Sequence, residues 1–176
     1  AGFTHWAKLN NLKQAAKTMN FLTEHGISSY GELESKLNAV SARRDTAHAE
    51  IKRIESRSAE LALVMKHAGT YRQLKPLYER YRKSNDKEKF LRGHESEIIL
   101  FEAAARELKR LGAVPLPTTE SMKTELANLN AEKERLLAEY KAARTEAQEY
   151  DTVKQNVDAL LTVPKEQEQQ RRHELE

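Results

Sequence analysis

The chain contains no cysteine, so it can form neither disulfide bonds nor thiolate metal sites. Glycine and proline are scarce, with six and four residues among 176, which leaves long stretches without a helix breaker. No run of apolar residues approaches the roughly 20 that a transmembrane helix needs. These absences predict an all-α protein that is not inserted in a membrane and acts in the cytoplasm.

Two long stretches, about 29–68 and about 118–161, carry apolar residues at alternating spacings of three and four. This pattern, sustained over several heptads, is typical of coiled-coil strands. The seam positions of the first stretch are Tyr30, Leu33, Leu37, Val40, Arg44, Ala47, Ile51, Ile54, Ser58, Leu61, Met65 and Ala68. Those of the second are Met122, Leu126, Leu129, Lys133, Leu136, Tyr140, Ala143, Ala147, Tyr150, Lys154, Val157 and Leu161. Because each narrow stripe needs a partner to leave water, we expect an elongated antiparallel hairpin.

The register of this hairpin follows from the lengths of the two stretches. It predicts that Arg44 lies beside Ala147 and that Ser58 lies beside Lys133. A long cation opposite a small residue can run its methylenes along the seam and keep its charge in water, so these polar positions do not exclude the pairing.

Three shorter helices are predicted around the hairpin, at about 4–25, 70–83 and 86–111. Gly26 should end the first, an interruption at Gly69 and Thr70 should precede the second, and Asn85 should cap the third. The predicted inner face of the first comprises Trp6, Leu9, Leu12, Ala16, Met19 and Leu22.

The domain organisation follows from these elements. We expect a single elongated domain over 1–161, with 4–25 at the base of the hairpin and 69–117 as the region where the chain turns. Residues 162–176 lack an apolar stripe, which predicts a frayed or disordered tail.

No catalytic or metal-binding motif stands out in the sequence. The six histidines are scattered without ligand spacing, and neither a glycine-rich phosphate loop nor a nucleophile elbow occurs. His94 to Glu97 begins like a zinc-protease helix, but Ile98 occupies the place of the second ligand. The sequence therefore predicts that this segment is not an enzyme and needs no cofactor or metal.

Residues 71–92 combine aromatic side chains with an excess of cations. Such a mixture suits nucleic acid, single strands especially, because cations neutralise phosphates and exposed rings stack on unpaired bases. The alternative is that the rings form the buried face of two short helices and the cations form their solvated face. The predicted nucleic-acid-binding residues are Tyr71, Arg72, Lys75, Tyr78, Arg80, Tyr81, Arg82, Lys83, Lys87, Lys89 and Arg92.

Several phrases of the sequence resemble the region that follows the nuclease domain in relaxases of Gram-positive conjugative or mobilisable elements. The resemblance extends over nearly the whole chain up to Leu161, although none of its phrases is a catalytic motif. The phrases are Lys8 to Thr18, Asn20-Phe21-Leu22, Tyr30 with Glu32-Leu33-Glu34, Lys75-Pro76 with Tyr78, Tyr81-Arg82-Lys83, His94 to Glu97, Glu149-Tyr150-Asp151 and Asn156-Val157-Asp158.

The resemblance implies a non-catalytic helical domain of a relaxase, a protein that nicks DNA for conjugative mobilisation. Relaxases use a tyrosine nucleophile and a metal held by a histidine cluster, and this chain has no such cluster, so no catalytic residue is carried over. The expected partner is DNA, and relaxosome or coupling proteins are further candidates. The alternative function is a protein-interaction or dimerisation coiled coil that docks the relaxase to the transfer machinery, with a homodimer left open.

Overall fold

A computed structural model describes the backbone of residues 2–173 and the side chains of residues 10–162. Its four helices are α1 (Gly2–Glu24), α2 (Tyr30–Lys83), α3 (Lys87–Arg110) and α4 (Thr119–His173). Residues 2–173 contain no β-strand, so the all-α prediction is confirmed.

Helix α2 is continuous through the predicted interruption. Gly69 and Thr70 are helical, and Pro76 lies inside the helix, so both the predicted break and the separate helix at 70–83 are wrong. Glycine and proline cost a helix interior about 1 and about 3 kcal/mol respectively. Burial of Ala68 and packing of Tyr71 favour continuation on either side of the glycine.

Helix α4 also extends further than predicted. Its backbone is helical through Pro164 to His173, and residues 174–176 lie outside the described part of the chain. The frayed or disordered tail at 162–176 stays a prediction. The stretch after Pro164 is rich in Gln, Glu and Arg. These residues have high intrinsic helix propensity, which favours helical backbone there.

Two glycines end helices, and Gly26 does so as predicted. Gly26 and Gly112 have φ angles of 61° and 68°, the left-handed conformation that glycine adopts without a steric penalty. The N–H of Ile27 binds the carbonyl of Leu22 at 2.8 Å, and the equivalent bond after Gly112 measures 2.9 Å. Both ends are Schellman motifs, in which these bonds satisfy the last carbonyls of the helix.

The helix starts are capped by polar side chains. Ser29 Oγ accepts a hydrogen bond from the Glu32 N–H at 3.2 Å, and Thr118 Oγ1 accepts one from the Ser121 N–H at 3.1 Å. At α3 the cap is Asp86 rather than the predicted Asn85, because the Asp86 carboxylate accepts from the Lys89 N–H at 3.0 Å. A carboxylate cap also complements the positive end of the helix dipole.

The chain divides into two compact units, to each of which α2 and α4 both contribute residues. The first unit comprises Ala1–His48 with Leu137–Glu176, and the second comprises Ala49–Leu136. The core of the first unit contains Leu33, Val40, Ala147, Tyr150 and Val153, with Phe21, Leu22, Ile27, Leu37 and Val157 packed against it. The core of the second contains Leu61, Val64, Ala68, Leu108, Ala113 and Met122.

Helix α1 packs through a different face from the predicted one. Leu12 and Met19 are 69% and 59% exposed, whereas Thr18 is buried. The Thr18 hydroxyl donates to the Gln14 carbonyl and accepts from the Asn156 side chain of α4, to which Gln14 also donates at 3.1 Å. These polar contacts orient α1 on α4. Among the predicted inner-face residues whose side chains the structure describes, only Leu22 packs into the core. Trp6 and Leu9 lie outside the described side chains.

In each unit, α2 and α4 are joined by polar contacts between their side chains. In the first unit Arg43 pairs with Glu146, and Arg44 and Ala147 line a common cavity. In the second unit Lys133 pairs with Glu55 at 2.9 Å, about one helical turn from its predicted neighbour Ser58.

We expect Gly69→Ala to raise the free energy of unfolding by about 0.5–1 kcal/mol, because alanine restricts the unfolded chain and suits a helix interior. A Cβ added to Gly69 would have no atom within 4 Å, so no clash opposes this gain. The matched control, Gly112→Ala, should lower stability by about 1–2 kcal/mol through left-handed strain alone. Urea denaturation measures both changes, and a less stable Gly69→Ala variant would contradict the prediction.

Candidate nucleic-acid interface

Aromatic rings of the predicted site pack between α2 and α3 in the second unit. Phe101 stacks against Tyr78 and Tyr71, with ring centroids 4.2 and 4.8 Å apart. The ring centroids of Tyr81 and Phe90 lie 6.1 Å apart. Phe101 is 6% exposed, and the other four rings are half-buried.

These contacts cover part of the ring surface that a nucleic-acid base could use. One face of Tyr71 and one face of Tyr78 are occupied by Phe101, so those faces are closed to a nucleic-acid base. The sequence pattern of 71–92 did not include Phe101, the ring that organises the group. The signal that could have included it is its apolar spacing in the helix predicted at 86–111, three residues after Ile98.

Three of the eight predicted cations have partners within the second unit. Arg72 donates to Thr119 Oγ1 at 2.8 Å and to the Pro117 carbonyl, so it fixes the start of α4. Lys75 lies 3.9 Å from Glu79, and Arg92 lies 3.8 Å from Glu88. Arg72 therefore has a structural role, while the other two form weak surface ion pairs.

The remaining five cations are exposed, and their side chains form no hydrogen bond or ion pair with any residue that the structure describes. They lie at the end of α2 and the start of α3, on either side of a three-residue turn. We call this group the basic surface; it consists of Arg80, Arg82, Lys83, Lys87 and Lys89. The basic surface thus contains five of the eight predicted cations and leaves out Arg72, Lys75 and Arg92.

The turn that carries the basic surface is held by its own hydrogen bonds. Ser84 Oγ accepts from the Asp86 N–H at 3.2 Å and donates to the Asp86 carbonyl at 3.1 Å. Because Asp86 also caps α3, its carboxylate is committed to the backbone rather than to a neighbouring cation. The turn therefore presents cations from two helix ends, and Asp86 forms no ion pair with them.

His94 interrupts the regular backbone of α3. Its φ and ψ angles of −141° and 22° kink the helix, and its Nδ1 atom is buried without a hydrogen bond, 3.7 Å from Glu97 Oε1. Among the described residues, no group of three or more histidines and carboxylates could hold a metal ion.

A search of the described helices finds none with the length and apolarity to cross a membrane. Comparisons with protein-family models, curated proteins and solved structures give no match for the chain.

Proposed function

We propose that this chain is a non-catalytic helical domain of a relaxase, acting in the cytoplasm in conjugative DNA mobilisation. In this proposal the basic surface contacts DNA. The single observation that carries the DNA contact is the group of five exposed cations without partners among the described residues. The relaxase assignment rests on the sequence resemblance alone.

The chemistry of the basic surface favours phosphates as its ligands. Arginine and lysine at a phosphate displace condensed counterions, which makes the affinity depend steeply on salt. The last turn of a helix carries a partial negative charge, which stabilises Arg80, Arg82 and Lys83 there before any ligand binds. DNA phosphates would then replace water around these cations. No ion pair with the protein would have to break first.

Stacking of bases is the weaker part of the proposed interaction. Single-stranded DNA is a candidate ligand because half-buried Tyr81 and Phe90 lie beside the basic surface. Tyr71 and Tyr78 each have one face against Phe101, so they offer less to a base than the sequence pattern suggests. Phosphate contacts should therefore supply most of the affinity.

Fluorescence anisotropy over a salt series tests the proposed DNA contact. If each of the five cations neutralises one phosphate, log affinity should fall against log salt with a slope of about −4.5 for duplex DNA and about −3.5 for single strands. Uncharged oligonucleotide analogues of the same sequence serve as the control ligand and should not bind. Absence of DNA binding at low salt would defeat the proposal.

We also propose that α2 and α4 pair along their length as the predicted antiparallel hairpin. The contacts of Arg43 with Glu146 and of Lys133 with Glu55 support this pairing within the respective units. Cysteines placed at positions 55 and 133, both in the second unit of this cysteine-free chain, should be bridged within a monomer by a short crosslinker. Cysteines at 55 and 83, roughly 40 Å apart along α2, are the control pair. Failure of the 55–133 pair to bridge within a monomer would contradict the hairpin.

Protein interaction is a second candidate function, favoured by apolar side chains that remain exposed. The seam residues Leu33, Ile54 and Ala147 are buried within their units, whereas Tyr30 and Leu161 at the seam ends are exposed. Large exposed aliphatic side chains occur on all four helices, at Leu12, Met19, Leu63, Ile99, Leu100, Leu160 and Leu161. Exposed apolar groups that cluster on one face can mark an interaction surface.

A further inference from the structure

The outer face of α3 exposes apolar side chains opposite its buried face. Ile99 and Leu100 are 55% and 54% exposed, whereas Ile98 and Phe101 on the inner side are 3% and 6% exposed. Ser96 and Ala103 lie three or four residues from this pair, which places them on the same face of a helix. We call Ser96, Ile99, Leu100 and Ala103 the α3 strip.

Two opposite charges border the α3 strip at its two ends. Glu95 precedes it and Arg106 follows it, both exposed. Neither side chain forms a hydrogen bond or ion pair with another residue in the described part of the chain. The strip therefore has an acidic end and a basic end, each available to a charge from outside the molecule.

We propose that the α3 strip pairs antiparallel with the same strip of a second copy of this chain. A two-fold axis near the midpoint of Leu100 and Phe101 brings the Ile99 and Leu100 pairs of the two copies together. The same axis places Glu95 of each copy opposite Arg106 of the other, so one interface contains two equivalent ion pairs. Parallel pairing would place like charges together and is disfavoured.

The size of the side chains also suits a helix pair. Ser96 and Ala103 are small, and small residues let two helices approach closely. A contact between two single helices buries less than the roughly 1,200 Å² of a standard stable interface. The dimer should therefore be weak and should form reversibly as the protein concentration rises.

The exposed residues on α1 do not have this self-complementarity. Leu12 and Met19 share their helix with Lys13 and Lys17, and no acidic residue occurs between Asn10 and Phe21. Two copies of that face would bring lysines together, which raises the free energy of pairing. The charges thus select α3 over α1 as the surface for a second copy.

Cysteine crosslinking tests the proposed geometry directly, because the chain has no cysteine of its own. Leu100→Cys should give a disulfide-linked dimer under mild oxidation, since the two-fold axis brings the two sulfurs within bonding reach. Met19→Cys, on the exposed face of α1, is the matched control and should stay monomeric. Equal dimer yields from the two variants, or none from Leu100→Cys, would overturn the proposal.

Sedimentation equilibrium without DNA tests the charge pairing independently of the proposed DNA contact. Arg106→Glu should weaken dimerisation about tenfold, because two like-charge contacts replace two ion pairs. The double variant Glu95→Arg/Arg106→Glu restores opposite charges and should return the dimer dissociation constant to within about threefold of the original. The proposal would be overturned if Arg106→Glu left dimerisation unchanged or if the double variant did not recover it. A wild-type protein that is monomeric at about 0.5 mM would also overturn it.

Discussion

Replacement of Arg80, Arg82 and Lys83 by glutamate should lower the affinity for DNA about 100-fold or more at about 0.1 M salt. Each reversal removes one phosphate contact and adds a like charge near the backbone of the ligand. The slope of log affinity against log salt should also lose about one unit per residue, or about three in total. Fluorescence anisotropy with duplex and single-stranded oligonucleotides measures both quantities.

A matched triple reversal separates this local effect from a change in net charge. Lys13, Lys141 and Arg144 are exposed residues of the first unit, and none of their side chains forms an ion pair or hydrogen bond with a described residue. Their replacement by glutamate changes the net charge by the same amount and should lower affinity less than about tenfold. Equal losses from the two triple variants would show that the basic surface has no special part in binding.

Phe101→Ala should destabilise the protein by about 3–5 kcal/mol, since it removes a buried ring and leaves a cavity. The loss includes two stacked contacts, with Tyr71 and with Tyr78, that hold α3 against α2. For a chain of this length the thermal midpoint should fall by roughly 10 °C. Differential scanning calorimetry and urea denaturation give the two values.

Leu63→Ala is the matched control for Phe101→Ala. Leu63 lies on α2 in the same unit and is 43% exposed, so its truncation should change stability by less than about 1 kcal/mol. If Phe101→Ala cost no more than this control, the aromatic group would not be what joins α2 to α3. The basic surface, which depends on that junction for its shape, would then need a different account.

Local signals in the sequence predicted helix ends better than helix interruptions. Gly26 and Gly112 end helices because each adopts a left-handed conformation that most residues avoid. Gly69 and Pro76 both disfavour a helix interior, yet α2 passes through both. The difference lies in tertiary packing, which supports the helix on either side of Gly69 and which a reading of local propensity does not contain.

The face by which a helix packs was harder to predict than its existence. The sequence pattern of α1 favoured Leu12 and Met19 as inner residues, but polar contacts of Gln14 and Thr18 with Asn156 orient the helix differently. Those contacts join residues more than 130 positions apart. The spacing of apolar residues identifies one apolar face of a helix. It cannot show that an amide far along the chain hydrogen-bonds to the opposite, polar face.

The candidate site was predictable as a list of residues and only partly as a surface. The run 71–92 contains all five members of the basic surface, which lie at the end of α2 and the start of α3. The sequence could not show that Arg72 would bind Thr119 and Pro117, because these partners lie more than 40 residues further along the chain. Nor could it show that Phe101 would occupy one face each of Tyr71 and Tyr78.

Lysine footprinting tests most directly whether the basic surface contacts DNA. The protein is acetylated under limiting reagent with and without an oligonucleotide, and the modified lysines are quantified by mass spectrometry. We expect DNA to protect Lys83, Lys87 and Lys89 about fivefold or more while Lys141, also exposed, keeps its reactivity. Equal reactivity of the three lysines with and without bound DNA would contradict the account.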